Sequence, residues 1–278
     1  MNLTSNIYSA ELNLRQPAED FFIRIWGNTR LPSHDIDHHR RVWHYAKELL
    51  QKTEECRGDN FSFSPDQLLL ACYFHDIGMS VDRGIKHGKH GKDIFLRFLS
   101  EHRIDAETFK DALDAVENHD DKDYTAPANP NDLINFLSAS DDMDAFGYAG
   151  IYRYIEIYLN RNFKPHVLGN LIRENASKRF ANLKRNYGFL KNLITRQEKR
   201  YKIIDNFFTA YNEQVTCLES GDKNQFAEYG LVEEIGKLIC NNLNISDVLT
   251  DPLLKPGNAE VRNYLQKIQS ELKTNHFR

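Results

Sequence analysis

Apolar residues recur along most of the chain at the three- and four-residue spacing of amphipathic helices. Phe21, Phe22, Ile25 and Trp26 close a first such segment, which Gly27 and Pro32 interrupt. A second helix is expected from about Asp37 to Cys56, burying Val42, Tyr45, Ala46, Leu49 and Leu50. Ser64-Pro65-Asp66-Gln67 reads as a helix start, with Ser as N-cap, Pro at the first position and Gln closing a capping box. The helix it opens, Pro65 to Ile77, carries the unbroken apolar run Leu68–Phe74 and is expected to be buried almost all round before Gly78 ends it. A loop rich in Gly and His, Ser80–Gly91, leads to a helix ending near Leu99, and another spans roughly Ala106–Asn118. After the loop Tyr124–Asn131, a helix with Leu133, Ile134, Phe136 and Leu137 runs into an acidic stretch from Asp141 to Asp144. Further helices are expected at about Ile151–Asn160 and Glu174–Ile194, and a long one from Thr195, where Thr195 and Glu198 again have capping-box spacing.

No alternation of period two bounded by hairpin turns appears, so the fold class expected is all-α. Gly221-Asp222 and Thr250–Asn258 are the best candidate boundaries. They suggest a main domain over 1–220 and a helical C-terminal extension over 221–278, packed on it. The amphipathic segments of that extension are also candidates for homo-oligomer formation.

Composition changes the picture by exclusion. With 41% hydrophobic and 27% charged residues in 278, the chain is an ordinary globular one. Its longest apolar run is far short of the ~20 residues a membrane helix needs, and MNLTSNIYSAELNLRQ lacks the basic start and apolar middle of a secretory signal. A cytoplasmic location with no membrane partner is therefore expected. Lys plus Arg number 36 against 40 Asp plus Glu, a formal charge of −4. No bulk basic field draws the chain to nucleic acid, which leaves open only a local basic patch. Cys56, Cys72, Cys217 and Cys240 are scattered without a CxxC pair and read as reduced structural thiols.

The histidines are uneven: nine of eleven fall between His34 and His119. Within that stretch, His38 and the pair His75-Asp76, with Asp141 beyond it, form a candidate constellation. A divalent metal needs deprotonated N and O ligands converging from several elements, and imidazole with carboxylate suits Mn, Fe, Co, Ni or Zn. Burying an ionisable pair at the end of an apolar helix is costly unless a partner compensates, and a metal does so. For His75 the alternative is a hydrogen-bonded core histidine. Against it stands the combination of His34-Asp35-Ile36-Asp37-His38-His39-Arg40-Arg41-Val42 with His75-Asp76 and Asp141-Asp142-Met143-Asp144-Ala145.

These motifs resemble the HD-domain family of metal-dependent phosphohydrolases, whose pattern is H…HD…D. The closer likeness is to a small bacterial branch with H-D-x-x-H-x-x-R-V, here His34, Asp35, His38, Arg41 and Val42. The helix end Tyr73–Gly78 and the segment Asp141, Met143, Asp144, Ala145 and Gly147 continue it, from about residue 15 to 218. The resemblance implies an all-α helical bundle and His38, His75, Asp76 and Asp141 as metal ligands. The branch usually carries Asp-Ala-Asp-Arg where this chain has Ala139-Ser140-Asp141-Asp142, so the ligand Asp is kept while an Arg has become acidic.

The implied activity is hydrolysis of a phosphate ester or anhydride of a small phosphorylated substrate, nucleotides among the candidates, by a metal-activated water. The cofactor is a divalent metal ion, with Mn, Fe, Co, Ni, Zn and Mg all candidates. Asp76 is the candidate catalytic residue, both ligating the metal and orienting or deprotonating the water. His87 and His119 are candidates for substrate phosphate contact or a second metal. Arg41, one helical turn beyond His38, is placed either on substrate phosphate or in a pair with Asp144 or Asp35. His34 and Asp35 are candidates for orienting the ligands, and Lys122 for a phosphate contact or a solvated charge. His39, His44 and His102 read as ordinary helix-face residues. Two alternatives from other classes are a degenerate metal-binding regulatory module, suggested by Asp142 and the C-terminal helices, and oxygen-dependent chemistry at a di-iron centre, which needs more ligands than four.

Overall fold

Helical spacing is realised throughout the computed structural model, which describes residues 2–58, 61–121, 129, 131–219, 227–250 and 259–274; no strand occurs among them. The chain divides into two compact units. The first comprises Met1–Thr29, His34–Met143 and Arg185–Leu190; the second comprises Arg30–Ser33, Asp144–Lys184 and Lys191–Arg278. The first unit holds α1 (Leu3–Ala10), a π-helical turn (Glu11–Arg15), α2 (Gln16–Trp26), α3 (Ile36–Arg57) and α4 (Pro65–Phe74). A 3-10 turn (Ile77–Ser80) then leads to α5 (His87–Glu101), α6 (Lys110–Asn118) and α7 (Leu133–Asp144, to Met143).

The expected start of α4 is realised in full. The Ser64 hydroxyl accepts from the Gln67 N–H at 3.3 Å, and the Gln67 side chain accepts from the Ser64 N–H at 2.7 Å. Every residue from Leu68 to Phe74 is fully buried, and each large apolar side chain so removed from water contributes about 1.5–3 kcal/mol. Phe74 anchors the helix in an aromatic cluster, with Phe95 stacked at 4.7 Å and Phe98 and Phe21 at 5.0 and 5.7 Å. Beside it sits a charge hub around the buried Glu19. Glu19 on α2 accepts from Arg15 at 2.9 Å and Tyr73 at 2.8 Å and pairs with Arg40 of α3.

Several expected boundaries differ: the helix expected over Glu174–Ile194 runs Pro165–Tyr187, and the one expected from Ala106 starts at Lys110 after a 3-10 turn. Helix α4 ends at Phe74 rather than Ile77, and α5 starts at His87, inside the segment expected to be a loop. The glycines there serve helix approach rather than loop freedom. A Cβ on Gly78 would run into the His87 carbonyl and the Gly91 nitrogen, and one on Gly88 into the Glu117 carbonyl.

The second unit holds α8 (Gly147–Asn160), α9 (Pro165–Tyr187, to Lys184), α10 (Lys191–Glu219), α11 (Ala227–Cys240), α12 (Ile245–Thr250) and α13 (Ala259–Thr274). Tyr152, Ile155, Ile204, Phe208, Ile235, Val261 and Ile268 share one core, so the helices after residue 226 pack on α8 and α10. Glu271 of α13 accepts from the Tyr148 N–H at the start of α8 (2.6 Å) and from Arg200 of α10 (2.8 Å). Thr195 does not open a helix. It lies inside α10, because Leu193, Ile194 and Gln197 are buried on one face and carry the helix through it. The Gly221-Asp222 boundary, residues 251–258, Lys122 and most of the loop 124–131 lie outside the described residues. Among the described residues no helix is long and apolar enough to cross a membrane, and the four cysteines are free.

Candidate metal centre

Each side chain of the constellation is delivered by the end or the buried face of a helix in the first unit. Asp35 caps α3 by accepting from the N–H groups of Asp37 (3.1 Å) and His38 (3.3 Å), which fixes the turn carrying His38. His75 and Asp76 follow the last turn of α4. His87 opens α5, His119 closes α6, and Asp141 lies on α7. All six prospective ligands are buried.

Two groups of ligand atoms form, and they share Asp76: His38, His75, Asp76 and Asp141 in one, and Asp76, His87 and His119 in the other. In the first, His38 Nε2 lies 3.2 Å from His75 Nε2, 3.6 Å from Asp76 Oδ2 and 3.9 Å from Asp141 Oδ1. His75 Nε2 lies 3.2 Å from Asp76 Oδ2 and 4.0 Å from Asp141 Oδ1. In the second, Asp76 Oδ1 lies 3.1 Å from His119 Nε2 and 3.7 Å from His87 Nε2, and the two nitrogens are 3.3 Å apart. Ligands bound at about 2.1 Å to one ion lie roughly 3–4.2 Å from one another, so both groups have the dimensions of a metal site.

The donor set fits a cation for a second reason. The Nδ1 atoms of His75, His87 and His119 lie 3.0, 2.6 and 2.8 Å from the backbone carbonyls of Cys72, Gly84 and Val116. A carbonyl only accepts, so each Nδ1 carries a proton, and in the neutral form of each ring the Nε2 lone pair turns inward. His87 Nε2, His119 Nε2 and Asp76 Oδ1 are then three acceptors facing one another, and only positive charge among them satisfies all three. A proton on an imidazole can supply that positive charge as a metal cation can. Burial opposes charge on Asp76, yet the neighbouring His75 charge and the hydrogen bonds with His119, His38 and His75 hold its carboxyl well below the usual carboxylate range. Burial likewise opposes a proton on His119, but contact with Asp76 raises its pKa above the ordinary value.

Of the remaining candidates, His34 is buried beside the cluster, its Nε2 4.0 Å from Asp76 Oδ2. Asp35 acts through the backbone of His38, and its carboxyl is pushed up to about 7 by burial and by Asp37, against the pull of Arg41. Arg41 is buried with its charge acting on Asp35. Asp144 belongs to the second unit, where it pairs with Arg153 at 3.3 Å.

One residue read from sequence as ordinary is not. His39 is fully buried, and its Nδ1 lies 3.0 Å from the same Cys72 carbonyl that holds His75. Burial, with the charges of His75 and His38, keeps its pKa well below the ordinary value. The available signal was its spacing from Val42 and Ala46 on the buried stripe of α3. Glu19 was missed as well: its i,i+4 spacing from Arg15 was a local signal, but Arg40 and Tyr73 are brought to it by α3 and α4.

Comparison with protein families gives a match to the family described as HD-CE over residues 15–211. No curated protein and no solved structure gives a match. The match covers more than half of the chain and includes every residue of both ligand groups: the chain belongs to the HD-CE family, a family of HD-type domains.

Proposed function

We propose that this chain is a metal-dependent phosphohydrolase that cleaves a phosphate ester or anhydride of a small molecule, with nucleotides among the candidate substrates. The observation that carries the reading is the position of Asp76, whose two oxygens face two separate sets of imidazoles. His38, His75, Asp76 and Asp141 would hold one divalent ion, and Asp76, His87 and His119 a second. Such ions, when bound, lower the pKa of water towards neutrality and withdraw charge from a phosphoryl oxygen. The protein's own part is to fix geometry. The carbonyls of Cys72, Gly84 and Val116 lock three imidazoles, the apolar wall of α4 excludes bulk water, and Asp76 accepts a hydrogen bond from the attacking water and aims it.

A second reading, a metal-binding regulatory module without turnover, is favoured by Asp142, a fully buried carboxylate where the branch that the chain resembles usually carries an Arg. One experiment separates the two. Metal content is measured on purified protein, which is then tested on nucleotides and aryl phosphates with Mn, Fe, Co, Ni, Zn and Mg. The phosphohydrolase reading expects metal-dependent turnover that His75→Ala and Asp76→Ala abolish. A loaded protein that hydrolyses nothing supports the regulatory module, and full activity in a folded Asp76→Ala protein removes Asp76 from the reaction.

A further inference from the structure

The formal charge of −4 conceals a division. From Arg161 to Lys202 the chain has 12 Lys and Arg against two acidic residues, Glu174 and Glu198, a balance of +10 in 42 residues. The other 236 residues carry −14.

The second unit gathers much of this charge at one end of a helical hairpin. Helices α9 and α10 run antiparallel, as Asn170 against Asn212 (2.9 Å), Arg173 against Asp205 (2.8 Å) and Phe180 stacked on Tyr201 (4.9 Å) show. Lys178 and Lys184 of α9 therefore lie beside the stretch of α10 that carries Lys191, Lys199 and Lys202. All five are exposed. Lys178 and Lys202 pair within their own helices with Glu174 and Glu198. Lys184, Lys191 and Lys199 have no acidic partner among the described residues. Lys191, Lys199 and Lys202 fall on one side of α10 over about 16 Å of its length.

We propose that this basic end of the α9–α10 hairpin binds the phosphate backbone of a nucleic acid, independently of the metal centre. Three features favour that partner. The charge density suits a polyanion, and 16 Å spans several successive phosphates at about 3.4 Å of axis per strand. On α10 the exposed positions between the lysines are Asn192 and Thr195, side chains that contact phosphate and sugar. No large apolar side chain is exposed on either helix in this stretch, so nothing is offered to the interior of a bilayer.

The test is fluorescence anisotropy with a labelled single-stranded RNA of about 30 nucleotides and a DNA duplex of about 30 base pairs, with chelator present so that turnover cannot consume the probe. Engagement of the five lysines predicts that raising salt from about 50 to 200 mM weakens binding on the order of 100- to 500-fold. Lys184→Glu/Lys191→Glu/Lys199→Glu should abolish binding. The milder Lys184→Gln/Lys191→Gln/Lys199→Gln, checked for folding by circular dichroism, should reduce the log–log salt slope by about 2 to 3. Wild-type protein that binds neither probe at low salt overturns the proposal. So does a folded Gln variant that binds as well as wild type. Equal or tighter binding to polyglutamate, or to vesicles containing phosphatidylserine, overturns it in favour of an acidic protein or a membrane surface.

Discussion

Gly88→Ala isolates the second ligand group. Gly88 is the second residue of α5, next to His87, and a Cβ there would run into the Glu117 backbone carbonyl, with the Val116 carbonyl a tight 3.2 Å away. Both obstacles are main chain of α6, so neither swings aside. Restoring ordinary contact needs the start of α5 to withdraw by about 1 Å. His87 travels with it, while His119 stays tied to the Val116 carbonyl at 2.8 Å. The separations of 3.3 Å from His87 to His119 and 3.7 Å from His87 to Asp76 then both lengthen. His38, His75 and Asp141 come from α3, the end of α4 and α7, and are left in place. Overpacking costs about 1–3 kcal/mol, and a misplacement of about 1 Å at reacting groups costs about 100-fold in rate. The assay is metal content per chain by mass spectrometry alongside phosphatase turnover, on protein shown to melt cooperatively. Metal content is expected to fall from two ions to one, with about 100-fold slower turnover. His87→Ala should do the same without the overpacking. A folded Gly88→Ala protein that keeps two ions and full turnover would refute the second group as a metal site. Loss of both ions would refute the independence of the first.

Three further outcomes follow from buried charge. Glu19→Gln removes the carboxylate from between Arg15 and Arg40, whose guanidiniums are more than a third exposed and stay solvated, and should destabilise by about 1–2 kcal/mol in urea; an unchanged midpoint would remove the hub from the stability of the first unit. The Glu19 carboxyl, despite burial, is held at about 2 by Arg40, Arg15 and Tyr73 against an ordinary 4.5. Its contribution is therefore complete above pH 4.5 and lost as pH falls towards 2, and that slope should be missing from the acid limb of Glu19→Gln. Glu271→Ala leaves the buried Arg200 and the Tyr148 N–H without their carboxylate and should cost about 3–5 kcal/mol; equal urea midpoints would show that α13 is held by its apolar face alone. Chelation should lower the melting temperature, since an ion present at about 100 times its Kd stabilises by about 2.7 kcal/mol, and a melt indifferent to chelator would argue against bound metal.

What the sequence disclosed depends on how local each signal is. Helical class and the start of α4 were legible because periodicity and the Ser64–Gln67 cap are written within a few residues. His38, His75, Asp76 and Asp141 were legible as a pattern of residue types, and their convergence follows once α3, α4 and α7 pack. His87 and His119 were left between two roles, because their relation rests on Gly78 and Gly88 letting α5 close on its neighbours, a tertiary fact that reads locally as a flexible loop. The false start at Thr195 has the same origin. A capping preference worth about 1 kcal/mol yields to the buried face of Leu193, Ile194 and Gln197. The basic hairpin was hidden by averaging, since a whole-chain charge of −4 cannot report a segment of +10.

The early end of α4 belongs to the same logic as the site. In a continuous helix, neighbouring residues point about 100° apart, so His75 and Asp76 could not both serve one cluster from the middle of a turn. Here His75 keeps helical angles (φ −58°, ψ −43°), and Asp76 leaves them at φ −103°, ψ 2° as the chain tightens into the 3-10 turn. That change brings the Asp76 carboxylate within 3.2 Å of His75 Nε2 while leaving its other oxygen free to face His119 at 3.1 Å. Gly78, within that turn, lets the main chain of α5 approach where a side chain would stand. A helix continued to Ile77, as periodicity alone expects, would keep the apolar burial and lose the shared carboxylate. The break in α4 and the two-sided Asp76 are thus one device, and a Gly78 substitution, which would push the main chain of α5 from the turn beside Asp76, should disturb both ligand groups where Gly88→Ala disturbs one, as metal content per chain would show.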